Sequence, residues 1–278
     1  MQHSTTRVRS VGVDTLTCSA PWEGGIFSFI DLAQGLQREE ASLGSKVLPF
    51  KRGSYRGAQT RHVGIAFKPG RVLAELRGNW AYLYWPHMTE RAEKVSRIDV
   101  QVSVWQEPYD HDMALRLYLG ERKKAEQRGR PSTFRMQGES DGGTTLYIGQ
   151  GASRYQARLY ERWYKEQADE NKQVWRYEVQ CRRERAQQMA DLLVGASEPY
   201  ILASSIVHQH FCKRGVAPIF TPTGRIDVAP LPKAASDKEQ SLRWLGASVA
   251  PALDRHKAWG SYDQAVRALG IDADRLAQ

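Results

Sequence analysis

Three segments of the chain alternate apolar and polar residues with a period of two, and this pattern constrains the fold most. They are RIDVQVSVW at 97–105, SRYQARLYER at 153–162 and QVWRYEVQCR at 173–182. Because successive side chains of a β-strand point to opposite faces, each segment predicts a strand with one apolar and one polar side. Such strands form antiparallel sheets whose apolar face is covered by helices. The sequence therefore predicts an α+β fold with a central antiparallel sheet and helices on one face.

Shorter patterns predict the elements around these strands and suggest how the chain is divided. Helical spacing predicts helices at 24–41, 80–95, 110–127, 182–195 and 198–213, and short apolar runs predict strands at 11–19, 60–67, 71–78 and 144–149. The proline-rich stretch 215–236 is the best linker candidate. We predict an α+β core at 1–195, a helix with a proline-rich connection at 196–232 and a small helical region at 233–278.

The chain is basic, with 40 Lys and Arg against 31 Asp and Glu and a formal net charge of +9. This charge favours a polyanionic partner, most often nucleic acid, although it also serves solubility. From Arg116 to Arg135, seven basic residues stand against two acidic ones. That excess is typical of a phosphate-contacting surface, and equally of a solvated helix end and loop. The candidate phosphate contacts in this segment are Arg122, Lys123, Lys124, Arg128 and Arg130.

The composition also excludes several classes of protein. No run of about eighteen apolar residues is present, so we expect no membrane span. The amino-terminal segment lacks the apolar centre of a signal peptide. Cys18, Cys181 and Cys212 have no metal-binding spacing, and we expect them to be reduced. These observations predict a cytoplasmic protein.

The polar sides of the three strands bring candidate reactive groups together. With suitable register, Asp99, Glu178 and Tyr160 share the uncovered face of the sheet, beside Arg158 and Arg176. Two carboxylates suit Mg²⁺ or Mn²⁺ when a phosphate supplies further oxygens, and arginines suit phosphate contacts. A tyrosine hydroxyl near a bound cation is an oxygen nucleophile. The pattern fits attack of Tyr160 on a phosphodiester. The alternative is that these residues have no catalytic role, because polar residues on an exposed sheet face are usually only solvated.

Four tyrosines lie between Thr145 and Glu166, and the pattern selects one of them. Tyr147 and Tyr155 are predicted to pack on apolar faces. Tyr164 follows in a less regular stretch, where it packs on the surface or stacks on a base. Tyr160 falls between Arg158 and Arg162, which are both candidate phosphate contacts on its own side. Tyr160 is therefore the predicted nucleophile, with Tyr155 as the alternative.

The three alternating segments, with TLYIGQGASRYQARLYER around the second, resemble the Rep_trans family in their order and spacing. The likeness extends to VGVDTLTCS, VLAELRGNWA and SLRWLGASVAP, and it spans most of the chain. The family comprises rolling-circle plasmid replication initiators and related relaxases of integrative conjugative and prophage-like elements. The resemblance implies a sheet related to the HUH endonuclease fold.

The resemblance also implies a role for each residue that matches a motif. RLYER matches the segment of the nicking tyrosine at Tyr160, and RID and RYE match the metal-binding acids at Asp99 and Glu178. The family often has a second acid two to four residues after the first, and here Gln101 and Ser103 occupy those positions. This departure implies fewer protein ligands to the metal, weaker metal binding or lost activity.

The function implied by the resemblance is nicking of one DNA strand at an origin, with Mg²⁺ or Mn²⁺ as cofactor. The 5′ phosphate would stay on Tyr160, and the 3′ hydroxyl would prime synthesis. The implied partners are origin DNA as duplex or hairpin, the single strand after nicking, and a host helicase and polymerase. The single candidate tyrosine suggests that a second subunit in a homodimer, or a second visit to the first, finishes the strand-transfer cycle. Two alternatives stay open: a non-catalytic DNA-binding regulator, and a relaxase for conjugative transfer or element excision. Conjugative members often carry an amino-terminal helix-turn-helix domain, and its absence before the first strand favours replication.

Overall fold

A computed structural model describes residues 5–21, 27–139, 142–149, 155–162 and 173–222, with isolated positions between 254 and 264. The chain divides into two compact units, Met1–Pro230 and Leu231–Gln278. The predicted helical region at 233–278 falls almost wholly outside the described residues. Within the described residues, no helix is long and apolar enough to cross a membrane.

The described part of the first unit is built on a ten-stranded sheet in which neighbouring strands run antiparallel. In chain order the strands are β1 (Thr5–Pro21), β2 (Leu48–Arg52), β3 (Tyr55–Gln59), β4 (Val63–Lys68), β5 (Arg71–Arg77), β6 (Lys94–Glu107), β7 (Phe134–Glu139), β8 (Gly142–Ile148), β9 (Tyr155–Glu161) and β10 (Val174–Arg182). Across the sheet the order is β2-β3-β4-β5-β1-β6-β10-β9-β8-β7. The three alternating segments are therefore the adjacent strands β6, β10 and β9.

The helices of the described residues are α1 (Phe27–Ser42), α2 (Asn79–Arg91), α3 (Met113–Gln127), α4 (Glu184–Val194) and α5 (Pro199–Lys213). The apolar face of β10 packs against two of them through Tyr177. Its ring meets the ring of Phe211 on α5 edge to face, with centroids 5.1 Å apart, and its hydroxyl donates to Met113 Sδ on α3 at 3.7 Å. The predicted α+β class, with helices covering the apolar face, is confirmed.

The register of the central strands sets the polar side chains in three rows across the sheet. Because directly paired residues of antiparallel strands point to the same face, each row places its side chains next to one another. The rows across β6, β10 and β9 are Asp99–Gln180–Gln156, Gln101–Glu178–Arg158 and Ser103–Arg176–Tyr160.

Two parts of the sheet were absent from the sequence prediction, namely the β2–β3 hairpin and the edge strand β7. Strands β2 and β3, LPFKR and YRGAQ, contain proline or glycine and are largely exposed, so neither shows a regular apolar side. Here pairing to the neighbouring strand, and not local pattern, decides the structure. The hairpin matters for the site because Arg52 at the end of β2 forms an ion pair with Glu75 on the polar face of β5.

Candidate functional site

The polar face of the central strands is buried, which corrects the prediction that it is uncovered. Asp99 and Glu178 are fully buried, and Tyr160 is only 4% exposed. Arginine side chains lie over the carboxylates and ion-pair with them, so the face is closed by its own charged groups. Buried charges are tolerated only when they are paired and hydrogen-bonded, and the pairing observed here meets that requirement.

The Tyr160 hydroxyl lies between a carboxylate and a guanidinium. Its Oη donates to Glu178 Oε2 at 3.1 Å and accepts from Arg176 Nη1 at 3.5 Å. Burial and the negative charge of Glu178 raise the pKa of Tyr160 well above its ordinary value, and the positive charge of Arg176 opposes them. In this state the tyrosine therefore holds its proton and directs it at Glu178.

Arg158 bridges the two candidate metal ligands. Its Nη2 contacts Glu178 Oε1 and lies 3.4 Å from Asp99 Oδ2. Asp99 also accepts from Arg97 Nε at 3.0 Å and from Gln180 Nε2 at 3.1 Å. Burial and the neighbouring Glu178 charge raise the pKa of Asp99 to about 6, while Arg97 opposes the shift. The two carboxylates lie close enough to repel each other, and Arg158 offsets that repulsion.

Gln101 and Ser103, where the sequence departs from the resemblance, belong to a hydrogen-bond chain. Ser103 Oγ donates to Gln101 Oε1 at 2.9 Å and accepts from Arg176 Nε at 3.2 Å. Arg176 Nη1 also donates to Asp14 Oδ1 at 2.8 Å. These neutral residues therefore orient Arg176, and they add no carboxylate to the pair formed by Asp99 and Glu178.

The donor atoms fit a divalent cation, with fewer protein ligands than a dedicated metal cage. Among the described residues, no three His, Cys, Asp or Glu side chains are grouped closely enough to hold a metal ion. A further oxygen is present, because Gln180 Oε1 is buried without a hydrogen-bond partner in the described part of the chain. Two carboxylates and an amide oxygen are the hard donors that Mg²⁺ and Mn²⁺ accept, and phosphate oxygens complete such sites.

A cleft of about 760 Å³ opens onto this buried layer. Its walls are the polar face of the sheet, the turn before β4 and the amino end of α2, which contribute His62, Trp80 and Tyr82. The carboxylates in its lining belong to Asp14 and Glu75. Six arginines line it: Arg61, Arg77, Arg97, Arg158, Arg162 and Arg176. Clefts with an excess of one sign of charge concentrate ions of the opposite sign, so six arginines against two carboxylates favour a polyanion.

Sequence reasoning missed Arg97 and the pair formed by Glu40 and His62. Arg97 stands two residues before Asp99, so alternation alone could have placed it on the polar face. Glu40 of α1 is buried, and its Oε1 lies 2.7 Å from Nδ1 of His62 in the cleft wall. These two residues are 22 positions apart, and no local pattern connects them.

The basic residues predicted at 122–130 lie elsewhere. Arg122, Lys123, Lys124, Arg128 and Arg130 are exposed on the second half of α3 and the turn after it. Arg122 Nε donates to Glu126 Oε1 at 3.2 Å, and none of the five lines the cleft. Their proposed role in DNA binding is therefore independent of the buried layer.

The other tyrosines of the segment occupy different positions. Tyr155 lies on the apolar face as predicted, with its ring centroid 5.5 Å from that of His210. The prediction for Tyr147 is wrong: it pairs with Arg158, and its neighbours Leu146 and Ile148 are the buried apolar residues. Arg135 lies over its ring, 4.8 Å from the centroid. Tyr164 lies outside the described residues.

Comparison with known proteins identifies the family. Residues 93–265, more than half of the chain, match Rep_trans, described as replication initiation factor. The chain belongs to the Rep_trans family. A similar solved structure is that of the rolling circle replication initiator protein from Geobacillus stearothermophilus, with 19% sequence identity and a TM-score of 0.50. The match covers 88% of this chain and 96% of that one, and it shows a shared fold. No curated protein matches the chain.

Proposed function

We propose that this Rep_trans protein is a rolling-circle replication initiator that nicks one DNA strand through Tyr160. Membership of a family of replication initiation factors supports the replication role. The choice of nucleophile rests on one observation, the hydrogen bond from Tyr160 Oη to Glu178 Oε2 at 3.1 Å. A hydroxyl needs a base within hydrogen-bond reach to become a nucleophile, and Glu178 meets that condition.

In the proposed step, the Tyr160 oxygen bonds to phosphorus as its proton moves to Glu178. The bond from phosphorus to the 3′ oxygen breaks, and the leaving oxygen takes up a proton from solvent, while the proton on Glu178 is later released to solvent. The products are a 5′-phosphotyrosine and a strand that ends in a 3′ hydroxyl, which can prime synthesis. Arg176, 3.5 Å from the attacking oxygen, offsets negative charge that develops on the transferring phosphate.

Asp99 and Glu178 would hold the Mg²⁺ or Mn²⁺ ion, with Gln180 Oε1 as a further oxygen donor and with Glu178 Oε2 left to accept the Tyr160 proton. A cation bound there would supply positive charge beside the scissile phosphate. Arg158 contacts both carboxylates, so metal binding requires its guanidinium to turn away from them. The released guanidinium would then be available to a phosphate oxygen.

DNA is the proposed macromolecular partner, first as an origin duplex or hairpin and then as the nicked single strand. The cleft arginines suit the strand at the site of chemistry, and the exposed basic residues of α3 suit duplex phosphates. A host helicase and a polymerase complete the proposed replication cycle, together with a second subunit or a second reaction at the first.

The test is incubation of the protein with supercoiled plasmid carrying the replicon's own origin and Mg²⁺ or Mn²⁺, analysed on denaturing gels. Wild-type protein should yield nicked DNA with protein on the 5′ end. Tyr160→Phe should abolish the adduct and keep DNA binding, while the matched variant Tyr155→Phe on the apolar face should form it. An adduct that still forms in Tyr160→Phe would show that another residue is the nucleophile. Tight binding without any nicked product would leave the non-catalytic regulator as the function.

A further inference from the structure

The amino end of α2 places two aromatic rings in the wall of the arginine-lined cleft. Trp80 is partly exposed and Tyr82 is 38% exposed, and both line the cleft. Residues two apart on a helix point in different directions, so the two rings face different parts of the cleft. Large rings beside guanidinium groups are characteristic of surfaces that bind single-stranded nucleic acid.

Each ring is stacked on a second ring, Tyr82 on a ring from another helix and Trp80 on a ring of α2 itself. Tyr82 stacks on Tyr200 of α5, with centroids 5.6 Å apart and planes at 22°. Trp80 stacks on Tyr84, with centroids 5.8 Å apart and planes at 19°. Rings that are already ordered lose little conformational freedom when a ligand binds, which favours their use as binding platforms.

Gly12 on β1 allows the ring of Tyr82 to lie where it does. A Cβ atom at this position would come within 2.4 Å of Tyr82 Cδ2 and 2.7 Å of Cε2. Any larger residue at position 12 would therefore displace the ring from the cleft wall. This close contact gives an independent way to move the ring without removing it.

We propose that Trp80 and Tyr82 form a base-stacking subsite that holds two unpaired nucleobases of the DNA strand in the cleft. The inference rests on the proposed function, since it assigns the rings to the strand that Tyr160 attacks. The six cleft arginines supply the charge complementary to its phosphates. The strand must be single because the faces of paired bases are covered by their neighbours in a duplex.

The test compares two fluorescent oligonucleotides with equal numbers of phosphates, dodecathymidylate and a fully abasic strand of the same length. Anisotropy titrations of the full chain should show tighter binding of dodecathymidylate by about fivefold or more, since each stacked base contributes roughly 5- to 150-fold. Trp80→Leu and Tyr82→Leu should each weaken binding of dodecathymidylate by a factor in that range and leave binding of the abasic strand unchanged. Gly12→Ala should act in the same direction.

Tyr118→Leu on α3 is the matched control, because this tyrosine lies on another helix and does not line the cleft. Equal binding of the two oligonucleotides by wild-type protein overturns the proposal. This comparison uses no variant, so it stays decisive even if a variant fails to fold. Equal losses for both oligonucleotides in Trp80→Leu and Tyr82→Leu also overturn it. If the protein nicks DNA but binds the two oligonucleotides equally, the subsite is wrong and the proposed chemistry stands. If it prefers dodecathymidylate but never nicks, the proposed chemistry is wrong and the subsite stands.

Discussion

Arg158 is the residue on which the buried polar layer most depends. Its guanidinium contacts both Glu178 and Asp99, and its own side chain is 19% exposed. Without it, two buried carboxylates would face each other with less compensating charge. We expect Arg158→Gln to lower the free energy of unfolding by about 3–5 kcal/mol near neutral pH, measured by urea titration. The loss should shrink at mildly acid pH, because burial and the Glu178 charge raise the pKa of Asp99 to about 6 and protonation then neutralises that carboxylate.

The control for this prediction is Arg122→Gln. Arg122 is 59% exposed, and its ion pair with Glu126 lies on the surface of α3. Surface ion pairs contribute about 0–1 kcal/mol, so this variant should change the unfolding free energy little. Similar losses in the two variants would show that the bridge made by Arg158 does not stabilise the fold.

Glu40 gives a second prediction at the scale of one residue, with a defined pH dependence. Its carboxylate accepts from the backbone N–H groups of His62 and Val63, from Thr60 Oγ1 and from His62 Nδ1. Burial raises the pKa of Glu40, but the hydrogen bonds from Thr60 and His62 outweigh burial and hold the pKa below its ordinary value. We expect Glu40→Gln to cost about 1–3 kcal/mol at neutral pH.

The pH dependence follows from the direction of that shift. A carboxyl with a lowered folded pKa stabilises the protein above its unfolded pKa, and this contribution is lost as the pH falls through the folded value. The difference between wild type and Glu40→Gln in urea titrations should therefore be full at neutral pH and decrease in acid. Glu39→Gln, the exposed neighbour, should show no such difference at either pH. A constant difference across pH would contradict the proposed ionic role of Glu40.

At the scale of elements, the β3–β4 pairing depends on a glycine that no pattern in the sequence selects. A Cβ atom at Gly57 would lie 2.0 Å from Ile65 O and 2.6 Å from Ala66 Cα on the neighbouring strand. Because both contacts are to backbone, Gly57→Ala must push the strands apart, and we expect a loss of about 1–3 kcal/mol or more. Thermal unfolding measures it as a lowered Tm.

Gly138→Ala provides the matched comparison within a strand. Gly138 lies in β7, and a Cβ atom there would have no neighbour within 4 Å. Replacing this glycine reduces the freedom of the unfolded chain, so the variant should be neutral or gain up to about 1 kcal/mol. Equal Tm values for the two alanine variants would show that the close approach at Gly57 is not tightly packed.

The elements show how far pattern could predict this fold. Strands β6, β9 and β10 are predictable because each carries its own alternation, and the apolar residues Val100, Leu159 and Val179 are fully buried. The aromatic character of Tyr147 favours the apolar side, although its position between Leu146 and Ile148 places it opposite them. The hairpin β2–β3 could not be predicted, since its exposed residues gain order only by pairing with β4.

At the scale of the whole molecule, the two separate basic surfaces proposed to contact DNA should contribute separately to binding. Arg61 is exposed in the cleft wall, whereas Lys123 and Lys124 are exposed on α3. Each phosphate contact contributes about 0.7 to the slope of log affinity against log salt for single strands and about 0.9 for duplex. We expect Arg61→Gln to reduce the single-strand slope by about 0.7. Lys123→Gln and Lys124→Gln should each reduce the duplex slope by about 0.9.

Salt titrations of anisotropy with single-stranded and duplex DNA measure these slopes. Arg38→Gln is the control, because this exposed arginine on α1 does not line the cleft and lies outside the basic segment. If the lysine variants change the duplex slope no more than Arg38→Gln does, the segment is a solvated helix end. If Arg61→Gln leaves the single-strand slope unchanged, the cleft wall at this position does not contact phosphate.

The sequence by itself determined which residues of β6, β9 and β10 share a polar side, because alternation is a local property of an extended chain. That property places Asp99, Tyr160 and Glu178 each on the polar side of its own strand, and the register of strand pairing sets them on one face. Only the tertiary structure decided that this side is buried, that Arg158 bridges the carboxylates and that Tyr160 donates to Glu178. Burial and ion pairing depend on strands that are distant in sequence and adjacent in the sheet, because Arg158 of β9 reaches Asp99 of β6 and Glu178 of β10.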